Sequence, residues 1–166
     1  MIGWPQLIGS IDAMTELEVV GIQLEASSGA PIVILQETGG SRCLPIWVGP
    51  AEAMAIAVGM DDVPPARPQT HDLLAAVLQE LTVSEISAEI ISVEDGIFRA
   101  RLIVGDEEFD ARASDVVALA VRMDLPLHCP AEVIAEAGVE VAPPVEDEVS
   151  EFKKFLDSIS AEDFED

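Results

Sequence analysis

Three short stretches bring acidic, basic and hydroxyl side chains within a few residues of one another: Arg42 to Glu52, Arg67-Pro-Gln-Thr-His-Asp72 and Asp110-Ala-Arg-Ala-Ser-Asp115. Each runs into a segment of helix-forming composition. Their polar groups are therefore expected at helix N-termini, where free N–H groups and the positive end of the helix dipole attract anions. Two chemistries are open to such a set. The carboxylates of Glu52, Asp72, Asp110 and Asp115 could supply the oxygen ligands that Mg2+ or Mn2+ prefers, with His71 as a base or ligand, which are the parts of metal-assisted phosphodiester hydrolysis. Alternatively, Thr70 and Ser114 cap helices, Asp72 and Asp115 favour the dipole, and Arg67 and Arg112 pair with them, which is architecture rather than catalysis. His128, in Pro126-Leu-His-Cys129, reads as a strand residue. No Gly-rich phosphate loop, His-Glu-x-x-His helix or nucleophile elbow occurs, and no organic cofactor is expected.

Charge limits the partners. Eight Lys and Arg stand against 32 Asp and Glu, a net charge of −24. A field of that sign repels nucleic acid unless local cations or a bound divalent metal reverse it, because phosphate neutralisation supplies most non-specific affinity. Arg42, Arg67, Arg99, Arg101, Arg112 and Arg122 are the only cations before Lys153 and Lys154. Arginine is the residue for fixed, bidentate pairing, so these six are expected to have specific partners. Hydrophobic residues at 49% and a mean hydropathy of +0.34 exclude wholesale disorder. The uncharged runs Met1–Ile11 and Ala26–Gln36 fall short of the roughly 18 residues of a spanning helix. No Lys or Arg precedes the first apolar stretch, which argues against a secretory signal and for a cytoplasmic protein. Cys43 and Cys129 are too few for a disulfide framework and are expected as buried thiols.

The elements that must position these clusters follow from periodicity. Strands are expected at Leu17–Leu24, Pro31–Thr38 and Cys43–Val48, with turns at Ser28–Gly29 and Gly39–Gly40. Ala51–Met60 reads as a helix with Pro50 in its first turn, and Asp61–Gln69 as a loop. Thr70 to Leu81 reads as an amphipathic helix burying Leu73, Leu74, Val77, Leu78 and Leu81. Ile86–Val93 and Ile97–Val104 flank Asp95–Gly96, a hairpin signature, and Glu107–Ala111 adds a strand. Ser114–Met123 reads as a helix, Pro126–Cys129 as a strand, and Pro130–Ala137 as a helix stopped by Gly138. Hairpins separated by helices predict an α+β fold with a mixed, mainly antiparallel sheet. Ala51–Met60 and Ser114–Met123 resemble each other, each with a carboxylate in its first turn and an Ala-rich run behind it, which suggests a duplicated hairpin–helix unit.

The expected organisation is an N-terminal extension at 1–13, a domain at 14–142 and an acidic tail at 143–166. In the tail, Phe152, Phe155, Leu156 and Ile159 share one face at helix spacing and need somewhere to bury, on the body, on a second subunit or on a protein partner. The low charge between Cys43 and Met60 suggests a subunit interface and hence a homo-oligomer.

Arg42-Cys-Leu-Pro-Ile-Trp-Val-Gly-Pro-Ala-Glu-Ala53, Arg67-Pro-Gln-Thr-His-Asp-Leu-Leu74, Gly96-Ile-Phe-Arg-Ala100 and Asp110-Ala-Arg-Ala-Ser-Asp-Val-Val-Ala-Leu-Ala120 together resemble the bifunctional nuclease family. The resemblance spans about residues 15–140 and extends to Glu151-Phe-Lys-Lys-Phe-Leu156 in the tail. It also fits Met14 as a start, leaving 1–13 as an upstream extension. It implies DNase and RNase activity. Carried over motif by motif, the implied site is Glu52, Arg67, Thr70, His71, Asp72, Asp110, Arg112, Ser114 and Asp115. In that reading Glu52, Asp110 and Asp115 bind a divalent metal. Arg67 and Arg112, with Thr70 and Ser114, hold phosphate, and His71, beside Asp72 and Asp115, moves a proton. The rival reading is a non-catalytic, homo-oligomeric binding or regulatory module whose arginine–carboxylate clusters are structural.

Overall fold

The computed structural model describes residues 14–61, 63–81 and 85–141. Among them are eight strands: β1 (Met14–Leu24), β2 (Pro31–Glu37), β3 (Arg42–Trp47), β4 (Ile86–Glu94), β5 (Ile97–Val104), β6 (Glu107–Arg112), β7 (Leu127–Pro130) and β8 (Val139–Glu140). Four helices accompany them: α1 (Pro50–Met60), α2 (Thr70–Glu80), α3 (Ala113–Met123) and α4 (Ala131–Ala137). The fold is α+β. All strands join one sheet in the order β6-β5-β4-β7-β1-β2-β3-β8, antiparallel throughout except where β4 runs parallel to β7.

Period-two alternation decides which side is covered. Val33 and Leu35 of β2 face Ile46 and Leu44 of β3, and all four are buried. They share one face with Leu17, Ala88, Ile90, Ala100, Leu102, Leu127 and Cys129, and the core is closed over that face by Ile56 of α1, Leu78 of α2, Val116 and Val117 of α3, and Val133 and Ile134 of α4. The core is thus a single layer between one side of the sheet and the helices. The residues of opposite parity lie on the other side, which no helix among the described residues covers.

The body is two copies of one unit. β1-β2-β3-α1 and β4-β5-β6-α3 are each a three-stranded meander followed by a helix, and the first strand of each carries a bulge, between Val19 and Gly21 and between Ile90 and Ser92. Because β7 is parallel to β4 and antiparallel to β1, the two units run in opposite directions on either side of it. That arrangement lays α1 and α3 against each other on one face. The two similar sequences thus fall on helices in matching places, each after three strands rather than the two of a hairpin.

Close approach of the two helices depends on Gly59. A Cβ there would meet the Val121 side chain and Arg122 Nη1 at 2.6 Å each. The Asp95–Gly96 turn behaves as its sequence predicts, with both residues in the left-handed region at φ 50° and 77°, the requirement of a two-residue hairpin whose twist matches its strands.

Three local expectations are corrected. In α2, Ala75 and Leu78 are buried, whereas Leu73, Leu74, Val77 and Leu81 are exposed. The reason is placement: α2 packs chiefly on α3, so only a narrow stripe through Ala75 and Leu78 is covered. Neither Thr70 nor Ser114 is a cap. α2 is capped from Gln69, whose N–H donates to Asp72, and α3 starts at Ala113 with Arg112 in the cap position and Ser114 buried. The two-residue strand β8, too short to show a period in the sequence, pairs Val139 and Glu140 with Cys43 and Arg42. The extension at 1–13 and the tail helix fall outside the described residues, as does Pro143–Pro144.

Candidate functional site

The repeat brings two helix starts together. Pro50 and the extended Gly49 before it begin α1, which puts Glu52 in its first turn; Arg112 precedes α3, which puts Asp115 in its first turn. Both carboxylates converge on Arg112. Its Nε donates to Asp115 Oδ2 at 2.8 Å and its Nη2 to Asp115 Oδ1 at 3.0 Å, a bidentate fork, while Nη1 donates to Glu52 Oε1 at 2.8 Å. On the far side of Asp115, His71 Nε2 lies 3.2 Å from Oδ1. Glu52, Arg112, Asp115 and His71 thus form one connected network drawn from α1, the β6–α3 junction and α2.

Asp72 belongs to a neighbouring pair. Its Oδ2 accepts the Gln69 N–H at 2.7 Å and its Oδ1 accepts Arg122 Nε at 2.7 Å. Arg122 is 5% exposed and also donates from Nη1 to the Ala118 carbonyl at 2.8 Å. Burial of the guanidinium beside Gly59 makes Asp72 its counter-ion and α2 the element that supplies it.

These contacts set the charges. The Glu52 backbone N–H and the Arg112 guanidinium hold the Glu52 carboxyl below its ordinary range. The Gln69 N–H does the same for Asp72, against burial and with help from Arg122. Burial pushes Asp115 up, but the Arg112 fork and the His71 hydrogen bond outweigh it and leave that carboxyl lowered too. Asp115 and Glu52 in turn raise Arg112. Glu52, Asp72, Asp115 and Arg112 therefore stay charged at neutral pH. Burial pushes the thiol of Cys43 up and that of Cys129 to about 12, as expected of inert buried cysteines.

Beside the network lies an open pocket of about 430 Å3, lined by Ile97, Phe98, Arg99, Asp110, Ala111, Arg112 and Asp115. The β5–β6 register puts Arg99 directly opposite Arg112. Asp110 is therefore a pocket residue rather than a partner of Glu52. Thr70 and Arg67 are exposed, at the start of α2 and in the segment before it. Among the described residues, Arg67 makes no ion pair within 4.0 Å, and no three His, Cys, Asp or Glu side chains are grouped to hold a metal. Glu52 and Asp115 do not fit an ion as they stand, since the Arg112 guanidinium occupies the position between them. Arg99, Ile97 and Phe98 were not among the residues expected at the site. The signal for them was the Asp95–Gly96 turn, which fixes the β4–β5 hairpin and, through β5, what faces Arg112.

Residues 33–142 match the family model described as the bifunctional nuclease domain. The chain belongs to that family. Two relatives from Mycobacterium tuberculosis, one from strain CDC 1551 / Oshkosh and one from strain ATCC 25618 / H37Rv, are each 41% identical to it over 161 residues, covering 91% of this chain and 98% of the relative. Both are described as uncharacterized proteins. All nine residues of the implied site fall within the matched bifunctional nuclease domain.

Replacing Asp72 with Ala is expected to leave the buried Arg122 without its counter-ion and to cost about 3 kcal/mol of stability. The check is the urea midpoint, with Asp72→Leu/Arg122→Met as the comparison, which is expected to recover most of the loss because no unpaired charge remains buried.

Proposed function

We propose that the bifunctional nuclease domain of this chain hydrolyses phosphodiester bonds of DNA or RNA at the pocket beside Arg112. One observation carries the reading. Arg112 lines that pocket and is locked in place by Glu52 and Asp115, yet these bonds use three of its five N–H donors. The donors left over are aimed by a guanidinium that cannot swing away, a preorganised site for the charge that develops on phosphate. Arg112 supplies there the positive charge that Mg2+ or Mn2+ would otherwise bring. Arg99 adds a second cation across the strands, and Phe98 and Ile97 offer an apolar wall to a base. Asp115, which lines the pocket, would accept the proton of a water there, and His71 would act through its contact with Asp115. Asp115 fixes the imidazole through Nε2, as an orienting partner does.

A net charge of −24 opposes the approach of any long polyanion. Cleavage of long strands is therefore expected to rise with moderate salt, as screening relieves that repulsion. The rival reading, a non-catalytic module, is favoured by the same ion pairs: Glu52 and Asp115 are matched to Arg112 and Asp72 to Arg122, as structural clusters would be. For both readings we infer a second copy of the chain as partner, seated on α2. Leu73, Leu74, Val77 and Leu81 are exposed there with few charges near them, and two chains each at −24 can touch only where charge is sparse. Among the described residues no helix is long and apolar enough to cross a membrane. The free, buried Cys43 and Cys129 accord with a cytoplasmic location.

Purified protein is expected to cleave single- or double-stranded DNA or RNA, with activity in EDTA as well as with Mg2+ or Mn2+, and His71→Ala is expected to lose about 100-fold or more. Absence of cleavage, or equal cleavage by the folded His71→Ala variant, would favour the non-catalytic module. For the interface, Val77→Glu is expected to convert the assembly to monomer in sedimentation equilibrium, and an unchanged mass would remove α2 from it.

A further inference from the structure

The side of the sheet opposite the helices is divided in two. Over β6, β5, β4, β7 and β1 a charged or polar row crosses it: Asp110, Arg101, Glu89, His128 and Glu16 follow one another across the strands by register, Arg101 is paired with Glu89 at 2.6 Å and Glu108 at 2.8 Å, and Ile97 and Ile103 of β5 are apolar members of the same side. Over β2, β3 and β8 the same side is mostly apolar, with Gln36, opposite Cys43, as its polar member. Ile32 faces Trp47, Ile34 faces Pro45, and Cys43 faces Val139. Trp47 is 54% exposed and Val139 51%. Gly21, opposite Ile34 on β1, adds no side chain, and a Cβ there would meet nothing within 4 Å. The result is an apolar trough open at Trp47 and Val139, with Cys43 buried in its floor, and bordered on β1 by the exposed acids Glu16 and Glu18.

We propose that the trough is covered by the chain's own C-terminal segment, residues 150–159. The chain leaves the described body at the trough's border: Val139 is part of the apolar surface, and the Val141 N–H donates to the Ser41 carbonyl at 2.9 Å, one residue beyond β8. Residues 142–149 can span up to about 27 Å, several times the roughly 5 Å between neighbouring strands, so the next segment reaches any part of the trough. Phe152, Phe155, Leu156 and Ile159 supply an apolar stripe at i, i+3, i+4 and i+7, and ten helical residues cover about 15 Å, close to the run of β3 from Cys43 to Trp47. The charges agree as well. The two lysines of the sequence, Lys153 and Lys154, lie in this segment, and the trough's flank carries Glu16 and Glu18. A tethered segment also meets the surface at an effective concentration in the millimolar range, which a free partner does not.

Trp47 reports on the trough directly. The experiment uses the full chain with Trp4→Phe, which leaves Trp47 as the one indole. Its emission is expected to be blue-shifted and shielded from acrylamide. With Phe155→Ser and Leu156→Ser added, emission is expected to shift to the red, with quenching rising to the level that an indole 54% exposed allows. The conservative Phe155→Leu is expected to keep the shielding. Sedimentation and far-ultraviolet dichroism of each variant separate this change from loss of fold. Indifference of Trp47 to the serine substitutions would overturn the proposal. So would shielding that grows with protein concentration, because a second copy would then cover the trough.

Discussion

One guanidinium joins the two halves of this molecule. Arg112 stands at the junction of β6 and α3 in the second repeat and holds the first-turn carboxylate of α3 with one edge and that of α1, in the first repeat, with another. Glu52 and Asp115 occupy equivalent places in the two units, so the repeat delivers a symmetric pair of negative charges to one spot. Two carboxylates so close would repel each other. A cation between them turns that repulsion into a tie, and α1 and α3 can then meet along Gly59 and their small residues. The asymmetry of the site, one arginine for two acids, is what distinguishes the second unit from the first.

The chain is highly acidic, yet its arginines are gathered rather than scattered. Arg101, Arg112 and Arg122 are each committed to carboxylates from a different element, and Arg99 lies across the ladder from Arg112. Cations used this way do not make a basic track for a polyanion. Two of them, Arg99 and Arg112, line one small pocket together with Asp110 and Asp115, so any cationic character there acts through donors fixed at short range rather than through long-range attraction. The same economy holds on the far side of the sheet, where Arg101 organises the charged half and leaves β2, β3 and β8 mostly apolar.

Much of the fold was legible from local signals. Asp95–Gly96, the period-two strands and Pro50 at the start of α1 state their own conformations, and the similar segments Ala51–Met60 and Ser114–Met123 fall on helices in matching places. Long-range pairings were less legible: nothing near Leu127 says that β7 will slip between β1 and β4 and pair with both. The orientation of α2 was misread because helical periodicity marks an apolar stripe without saying what covers it, and most of this stripe faces outward. At the site, the clusters around Glu52, His71 and Asp115 stood out by residue type. Their joining through Arg112 is a contact across 60 residues of sequence, and the pocket around Arg99 exists only once the β5–β6 register is set.

The central claim is that Arg112 is a positioned phosphate-binding group and not merely a structural tie. The direct test is cleavage by Arg112→Ala with and without added guanidinium, in protein whose fold is verified by its urea midpoint. The account predicts that cleavage falls to background in the variant and returns in part with guanidinium, which can enter the space between Glu52 and Asp115. Cleavage by Arg112→Ala at the rate of the unsubstituted chain would contradict it.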